Sequence, residues 1–267
     1  MRPVRGGDIN EAFVATTNGG ARVFVKLSGD MEAEARFDHE VRGLRALREA
    51  GARTPGLRGV LHVGHWHGLQ LEYIAARPVT IDHTGDLARQ LAAVHALAQN
   101  GFSLRGAYIG KVGLPDFEGS TAHELVFDGL IAPVVRLCGG ALPKRDAAAI
   151  GTLRERSAPH FAELPPALVH GDLWSGNWLS TTDGRAALID PSVHVGVDEL
   201  DIALARLFGG FPEAFFAAYA THRPPRAGAA ARMPILQLYF LLAHLAMFGR
   251  GYLPRLRSAT QRALELC

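Results

Sequence analysis

A short polar segment in the second half of the chain combines residue types that could transfer a phosphoryl group. Asp172 and Asn177 lie five positions apart within the stretch HGDLWSGN, and Asp190 follows thirteen positions later at the end of an apolar run. This order and spacing are typical of a kinase catalytic loop and the metal-binding Asp after it. One carboxylate would take the proton of an acceptor hydroxyl, while an amide oxygen and a second carboxylate would ligate Mg²⁺. Either motif alone would also suit an ordinary turn.

A lysine near the N-terminus independently indicates the same chemistry. Kinase sites use a lysine on a sheet strand to bind the α- and β-phosphates of ATP, and a helix glutamate to hold that lysine. Lys26 is the only lysine in the first 110 residues of a chain that otherwise uses arginine for positive charge. Glu40, on the following amphipathic segment, is the expected partner, with Glu32 and Glu34 as alternatives nearer the helix start.

The segment that would cover the phosphates is less distinctive. Neither G-x-G-x-x-G nor the Walker pattern G-x-x-x-x-G-K occurs in the sequence, which excludes a P-loop nucleoside triphosphatase and disfavours a eukaryotic-type protein kinase. Residues 6–10, with the sequence GGDIN, are the candidates that could offer backbone N–H groups to the phosphates.

The patterns around these residues predict a small sheet with one helix, followed by a larger and mostly helical region. The small sheet comprises strands at 12–16, 21–27, 59–63 and 69–74, with a hairpin turn at 18–20, a second turn at 65–68 and a helix over 32–50. The larger region comprises helices over 86–99, 120–137, 144–164, 200–219 and 233–248, and strands at 167–169 and 186–189 that flank the polar loop. We therefore predict an α+β fold with two lobes, residues 1–75 and 76–267, and ATP between them.

Composition restricts the classes of partner. The net charge is +2 and the arginines are scattered, which argues against a nucleic-acid partner. Cys138 and Cys267 are far apart and no Cys or His stands at metal-ligand spacing, so we expect neither a disulfide framework nor a zinc site. The N-terminus lacks a signal-peptide pattern, and the most apolar segment, 233–248, is too short to span a bilayer. We expect a cytoplasmic monomer without a membrane partner.

Along nearly its whole length the chain resembles the fructosamine kinase family, a branch of the aminoglycoside phosphotransferase and choline kinase group with a protein-kinase-like fold. The most specific matches are HGDLWSGN at 170–177 and LFGGF at 207–211. Further matches are Phe24-Val-Lys26, Phe37-x-x-Glu40, Leu71-Glu72-Tyr73, Ile189-Asp190-Pro191 and Leu238-Tyr239.

The resemblance implies a protein-kinase-like bilobal fold and an ATP-dependent, Mg²⁺-dependent reaction. Family substrates are ketosamines, which are sugars joined to an amine, either free or on a glycated protein. Phosphorylation of the sugar is followed by loss of the 3-phosphate, which is deglycation. The implied roles are Asp172 as base, Asn177 and Asp190 as Mg²⁺ ligands, Lys26 with Glu40 as the ATP-binding pair, and the backbone of Glu72, Tyr73 and Ile74 as the adenine contact.

Two further residues are candidates for substrate binding. Trp174 stands inside the predicted catalytic loop and would either offer an aromatic face to the sugar-amine or pack between the lobes. Asp198 belongs to the stretch after Asp190 that lies on the substrate side of the family's site. We expect His95, His170 and Asp201 to support the loop rather than to act chemically.

The chain departs from the family pattern on the substrate side, at 107–116, 123–127 and 193–199. One alternative is therefore a phosphotransferase for another small acceptor, such as an aminoglycoside or an amino alcohol. The modest number of acidic residues, 26 against 28 basic ones, disfavours a polycationic acceptor. A second alternative is a nucleotide-binding pseudokinase, which the presence of Lys26, Asp172, Asn177 and Asp190 disfavours.

Overall fold

The computed structural model of the protein describes residues 1–4 and 10–267. Of the candidate phosphate-covering segment at 6–10, all but Asn10 lies outside the described residues. The N-terminal region forms a five-stranded antiparallel sheet in the order β1-β2-β3-β5-β4. Its strands are β1 (Arg2–Pro3), β2 (Glu11–Thr16), β3 (Arg22–Ser28), β4 (Leu57–Val63) and β5 (Trp66–Glu72).

Helix α1 (Ala33–Glu49) packs against this sheet through one apolar face. Phe37, Val41 and Leu44 recur at helical spacing and pack with Leu69 and Leu71 of β5. Each such fully buried side chain contributes about 1.5–3 kcal/mol. The helix is thereby held at a fixed position over the strand that carries Lys26.

The larger region is built mainly from helices, as the sequence predicts. A buried cluster centred on α8 joins it to α4, α6 and α9. The helices are α2 (Ile81–Ala96), α3 (Ala122–Glu124), α4 (Ala132–Cys138), α5 (Lys144–Ser157), α6 (Glu199–Phe208), α7 (Glu213–His222), α8 (Ala229–Phe248) and α9 (Leu253–Leu266), with a π-helical segment, Leu125–Ile131, between α3 and α4 and 3₁₀ turns at Gly139–Ala141, Ala158–Phe161 and Arg250–Tyr252.

Short strands in the larger region frame the polar loop. One sheet has the order β10-β13-β6-β9, and two separate hairpins pair β11 with β12 and β7 with β8. The strands are β6 (Phe102–Leu104), β7 (Tyr108–Ile109), β8 (Val112–Gly113), β9 (Phe117–Gly119), β10 (Ala167–Val169), β11 (Trp178–Ser180), β12 (Ala186–Leu188) and β13 (His194–Gly196).

The β11–β12 hairpin is hydrogen-bonded both to the N-terminal region and to the larger region. The backbone N–H of Leu188 donates to the carbonyl of Arg53, which follows α1, at 2.8 Å. The N–H of Ala186 donates to Asp86 of α2 at 2.8 Å. The loop before β11 and the loop after β12 are consequently fixed relative to α1.

The α+β architecture is confirmed, while several element boundaries differ from the prediction. The hairpin turn lies at Gly64 and His65, so Trp66–Gly68 belong to β5. The helix expected at 200–219 is two helices, α6 and α7, because Gly209 and Gly210 adopt positive φ and Pro212 follows. Residues 178–180, expected to be loop, form β11, and α9 was not predicted. The division into lobes at residue 75 stays a prediction.

Helix α8 is longer than the apolar segment read from the sequence. Its 20 residues are long and apolar enough to cross a membrane by length and composition alone, but 67% of the most apolar window is buried inside the protein. The buried side chains belong to the core cluster of the larger region. This packing is that of a core helix.

Gly68 of β5 generates a stability prediction. A Cβ at this position would overlap the carbonyl oxygen of Lys26 and the side chain of Leu27, so the strand carrying Lys26 would have to move. We expect Gly68→Ala to lower the free energy of unfolding by about 1–3 kcal/mol, measured by urea denaturation. Gly59→Ala on β4 is the matched control, since its Cβ would meet nothing closer than 3.5 Å. Equal denaturation midpoints for the two variants would contradict this account.

Candidate active site

The polar loop between β10 and β11 begins with a tight backbone turn. Gly171 adopts φ +81°, and a Cβ there would overlap the carbonyl of Ser192, so only glycine fits. The side chain of Asp201, in the first turn of α6, accepts hydrogen bonds from the backbone N–H groups of His170 (2.7 Å) and Gly171 (2.8 Å). The predicted supporting role of Asp201 is confirmed.

Asp201 is itself fixed by a buried hydrogen-bonded chain. His95 of α2 contacts the Asp201 carboxylate through Nε2 at 3.0 Å and the Tyr219 hydroxyl through Nδ1 at 2.7 Å. Burial alone would raise the pKa of Asp201, but the bond from His95 and the charges of His95 and His170 hold that pKa below its usual range. An ionised carboxylate therefore anchors the start of the loop.

Asp172 lies at the turn of the loop, next to the other predicted residues. Asn177 donates from Nδ2 to both the Asp172 carboxylate and the Asp172 carbonyl, each at 2.9 Å. His170 supports the same turn, because its Nε2 contacts the carbonyl of Ile189 at 3.0 Å. Burial raises the pKa of Asp172 to about 7, although the bond from Asn177 opposes the rise. A base with a pKa near neutrality suits proton abstraction from a hydroxyl.

Asp190 has an unusual backbone conformation. Its φ is +53°, a left-handed value that costs a residue with a side chain about 1–3 kcal/mol and recurs at functional sites. The following Pro191 packs against Gly43 of α1, where a Cβ would stand 3.0 Å from the proline ring. The bent segment after β12 thus lies directly against the helix that carries Glu40.

Lys26 joins the two regions of the molecule. Its Nζ lies 2.9 Å from Glu40 Oε1 and also forms an ion pair with Asp190 Oδ1. Lys26 and Glu40 are only 6% and 8% exposed. Of the three glutamates weighed from the sequence, Glu40 is the one that contacts Lys26, while Glu32 and Glu34 are exposed. The structure therefore brings Lys26, Glu40 and Asp190 together beside the loop that carries Asp172.

The expected adenine contact lies where the chain leaves the N-terminal sheet. The Glu72 carboxylate accepts from the backbone N–H of Gly56 at 3.1 Å, and the Arg22 guanidinium lies 4.2 Å from the centre of the Tyr73 ring. These contacts hold the side chains of Glu72 and Tyr73, while Ile74 is half-buried. A contact between this backbone and adenine stays a prediction.

The two candidate substrate residues have different surroundings. Trp174 is 40% exposed, in the loop that carries Asp172. The Asp198 carboxylate is buried and accepts from Arg223 (2.6 and 2.9 Å) and Arg226 (2.9 Å). Burial would raise the pKa of Asp198, but the charge of His95 and the two guanidinium groups outweigh it, so the group stays ionised. Because Asp198 is already paired, its geometry favours a structural role over an amine-binding one.

Two tyrosines near the site were not identified from the sequence as site residues. Tyr219 completes the chain through His95 to Asp201. Tyr239 of α8 is buried, and burial and the charge of Asp172 raise the pKa of its phenol. Both lie in strongly apolar helices, where an aromatic residue is normally a packing residue, so the pattern did not assign them to the site, although Leu238-Tyr239 matches the family.

The hydrogen bonds that Asp201 accepts from the loop backbone can be tested by substitution. In Asp201→Asn one oxygen becomes an NH₂ group, which would face the backbone N–H of His170 or Gly171 and leave that donor unpaired. We expect a loss of about 1–3 kcal/mol in unfolding free energy, together with a lower kcat, from thermal denaturation and steady-state assays. Asp183→Asn is the control, since this exposed carboxylate in the turn between β11 and β12 also accepts a backbone N–H, that of Arg185. Equal effects of the two substitutions would be inconsistent with this role of Asp201.

Comparison with known proteins gives an independent result. The fructosamine kinase family model matches residues 1–266. A ketoamine kinase homologue of Thermus thermophilus is 36% identical over 258 residues, covering 94% of this chain and 89% of the relative. The ketosamine-3-kinase of Mus musculus is 28% identical over 282 residues, with coverage of 92% and 89%.

Solved structures agree with the family match. The crystal structure of a fructosamine-3-kinase homologue from Thermobifida fusca superposes with a TM-score of 0.88 at 29% identity, covering 98% of this chain and 92% of that one. An aminoglycoside phosphotransferase shares the fold with a TM-score of 0.64 at 14% identity, covering 99% and 92%. The predicted protein-kinase-like fold is confirmed, and the chain belongs to the fructosamine kinase family.

Proposed function

We propose that this kinase transfers the γ-phosphoryl group of ATP to a sugar hydroxyl of a ketosamine, with Asp172 as the base. The observation that carries the proposal is the cluster of Lys26, Glu40 and Asp190, which stands beside the Asp172–Asn177 pair in a chain of the fructosamine kinase family. A lysine held by a helix carboxylate, a base and two oxygen ligands are the parts that phosphoryl transfer requires.

Asp172 would act on the acceptor. As the hydroxyl oxygen bonds to the γ-phosphorus, its proton passes to the Asp172 carboxylate, and the bond from the γ-phosphorus to the bridging oxygen breaks to release ADP. The hydrogen bond from Asn177 fixes the orientation of Asp172 Oδ2. Such positioning supplies most of the catalytic effect when little covalent chemistry is needed.

The residues around Asp190 fit a hard divalent cation such as Mg²⁺. The Asn177 amide uses its nitrogen to bind Asp172, which leaves its carbonyl oxygen as the ligand atom. Asp190 supplies a carboxylate oxygen besides the one that contacts Lys26. Oxygen ligands of this kind are those that Mg²⁺ prefers. A bound Mg²⁺ would neutralise charge on the ATP phosphates.

The nucleotide would lie between the sheet and the larger region. Lys26 would bind the α- and β-phosphates of ATP. Its ion-pair partners Glu40 and Asp190 fix the position of its ammonium group. The backbone of residues 72–74, where the chain leaves β5, would accept hydrogen bonds from adenine and donate hydrogen bonds to it. Residues 1–75 and 76–267 would then act as the two lobes around ATP.

The altered substrate-side region contacts the loop after Asp190. Ser192 donates from its hydroxyl to the carbonyl of Tyr108 at 2.6 Å, which ties the β7–β8 hairpin to that loop. Trp174, with its exposed ring, would pack against the sugar or its amine-bearing part. We infer that Trp174 and the segment 107–127 set the preference among ketosamines.

The setting of the reaction follows from the same proposal. A kinase for ketosamines would serve deglycation, acting on free sugar-amines and on glycated proteins. We propose that it works as a monomer in the cytoplasm, without a nucleic-acid or membrane partner. A +2 net charge and the absence of basic runs in the sequence support the exclusion of nucleic acid.

The reaction is tested by ADP release with Mg²⁺ and ATP over four acceptors: ribulose-lysine, fructose-lysine, an aminoglycoside and choline. We expect turnover on a ketosamine, and a loss of about 10²–10⁴-fold in kcat for Asp172→Asn with little change in the KM for ATP. Asp38→Asn, an exposed carboxylate on α1, is the control. Turnover on choline or an aminoglycoside alone would replace the proposed substrate class, and full activity of Asp172→Asn would refute the base.

Glu40 gives a separate prediction about nucleotide binding. Lys26 forms ion pairs with both Glu40 and Asp190, and Glu40→Gln removes the first of these negative charges, so that Lys26 would pair with Asp190 alone. We expect kcat/KM for ATP to fall about tenfold or more, equivalent to about 1.4 kcal/mol. Steady-state kinetics with varied ATP measure this ratio. Glu32→Gln, the exposed alternative, should leave it unchanged; the reverse pattern would assign the lysine's functional partner to Glu32.

A further inference from the structure

A second cluster of metal-ligand side chains lies on the N-terminal sheet, apart from the residues assigned to phosphoryl transfer. Glu34, His62 and His67 come from the first turn of α1, from β4 and from β5, respectively. Their ligand atoms all lie within 4.8 Å of one another. Over residues 1–4 and 10–267, this is the one group of three or more such side chains with that geometry. We propose that it binds a transition-metal ion, with Zn²⁺ as the probe.

Strand pairing fixes the two histidines. His62 and His67 are directly opposite in the antiparallel β4–β5 ladder, and their ring centres are 4.2 Å apart. Opposite side chains on neighbouring strands project from the same face, so both imidazoles are available to one ion. The two-residue turn at Gly64 and His65 is short, with Gly64 at φ +60°, and it keeps this register.

Glu34 supplies the third ligand from a different element. Its Oε2 lies 4.0 Å from His67 Nδ1, and its side chain is 66% exposed. Ligand atoms around a tetrahedral Zn²⁺ stand about 3.4 Å apart, given bond lengths of about 2.0–2.2 Å. The cluster therefore needs to close by little more than about 1 Å, and the exposed ends of Glu34 and His62 are free to do so.

The ligand set also determines which ion is preferred. Two imidazoles and one carboxylate suit Zn²⁺, Ni²⁺ and Cu²⁺, whereas Mg²⁺ prefers an all-oxygen set such as the one at Asn177 and Asp190. Excess Mg²⁺ should therefore not displace Zn²⁺ from this cluster. Because Glu34 lies on α1, the bound ion would also link the first turn of the helix that carries Glu40 to the β4–β5 hairpin.

Calorimetric titration of the whole protein with ZnCl₂, in excess MgCl₂, tests the site. We expect one Zn²⁺ per chain, and His62→Gln or His67→Gln to weaken its binding at least about tenfold, as loss of one of three ligands should. His65→Gln, a neighbouring exposed histidine outside the cluster, is the control and should leave Kd unchanged. Unchanged affinity in His62→Gln and His67→Gln, or loss of binding only in Asp190→Asn, would overturn the proposal.

Two further measurements do not require a binding constant. A crystal soaked in ZnCl₂ should give a zinc-edge anomalous peak between Glu34, His62 and His67, and hydrogen exchange at residues 33–36 should slow on adding Zn²⁺ in the wild type but not in His62→Gln. Anomalous peaks at other places alone would overturn the site. Unchanged exchange at 33–36 in the wild type would overturn the link between α1 and the hairpin.

Discussion

The rest of the site depends on the ion pairs that the buried ammonium group of Lys26 forms. This group takes one carboxylate from α1, Glu40, and one from the segment after β12, Asp190, so a single side chain joins the sheet, the helix and the larger region. Removing one partner from a buried ion pair costs about 3–5 kcal/mol, because the other charge stays buried without compensation. Because the charge of Lys26 must stay paired, α1 has to pack on β5 with Glu40 next to Lys26. The segment after β12 has to place Asp190 next to the same ammonium group.

Backbone constraints reinforce that cluster from the opposite side. Asp190 adopts a left-handed backbone conformation, and the following Pro191 packs on Gly43, where the absence of a side chain allows close approach. Ser192 then donates its backbone N–H to the carbonyl of His170 at 2.8 Å. Asp201 holds the same turn through two backbone N–H groups. Asp172, Asn177 and Asp190 are thus positioned by polar contacts, and the buried ones would be costly to leave unpaired.

Local patterns in the sequence predicted the four longer strands of the N-terminal sheet, most of the helices and the identity of the chemical groups, but not β1, β6 to β9, β11 or β13. Asp172, Asn177 and Asp190 were recognisable from their spacing, and the strand that carries Lys26 from its β-rich composition. The prediction failed where the local sequence pattern does not decide the secondary structure. The strand β11 was interpreted as loop because its three residues follow a Gly- and Ser-containing turn. Helices α6 and α7 were interpreted as one helix because their apolar residues continue across Gly209 and Gly210. Short strands are stabilised by their partners, which a linear pattern does not contain.

The sequence by itself determined which residue types are available for phosphoryl transfer, since the chemistry needs a carboxylate base, oxygen ligands and a strand lysine, and their order along the chain is readable. Only the tertiary structure decided which of them meet. It selected Glu40 over Glu32 and Glu34, paired Asp198 with Arg223 and Arg226, and brought His62 and His67 opposite each other beside Glu34 although their spacing suggested no metal site. Contacts between residues distant in sequence are fixed by strand register and helix packing, and these are decided when the whole core forms.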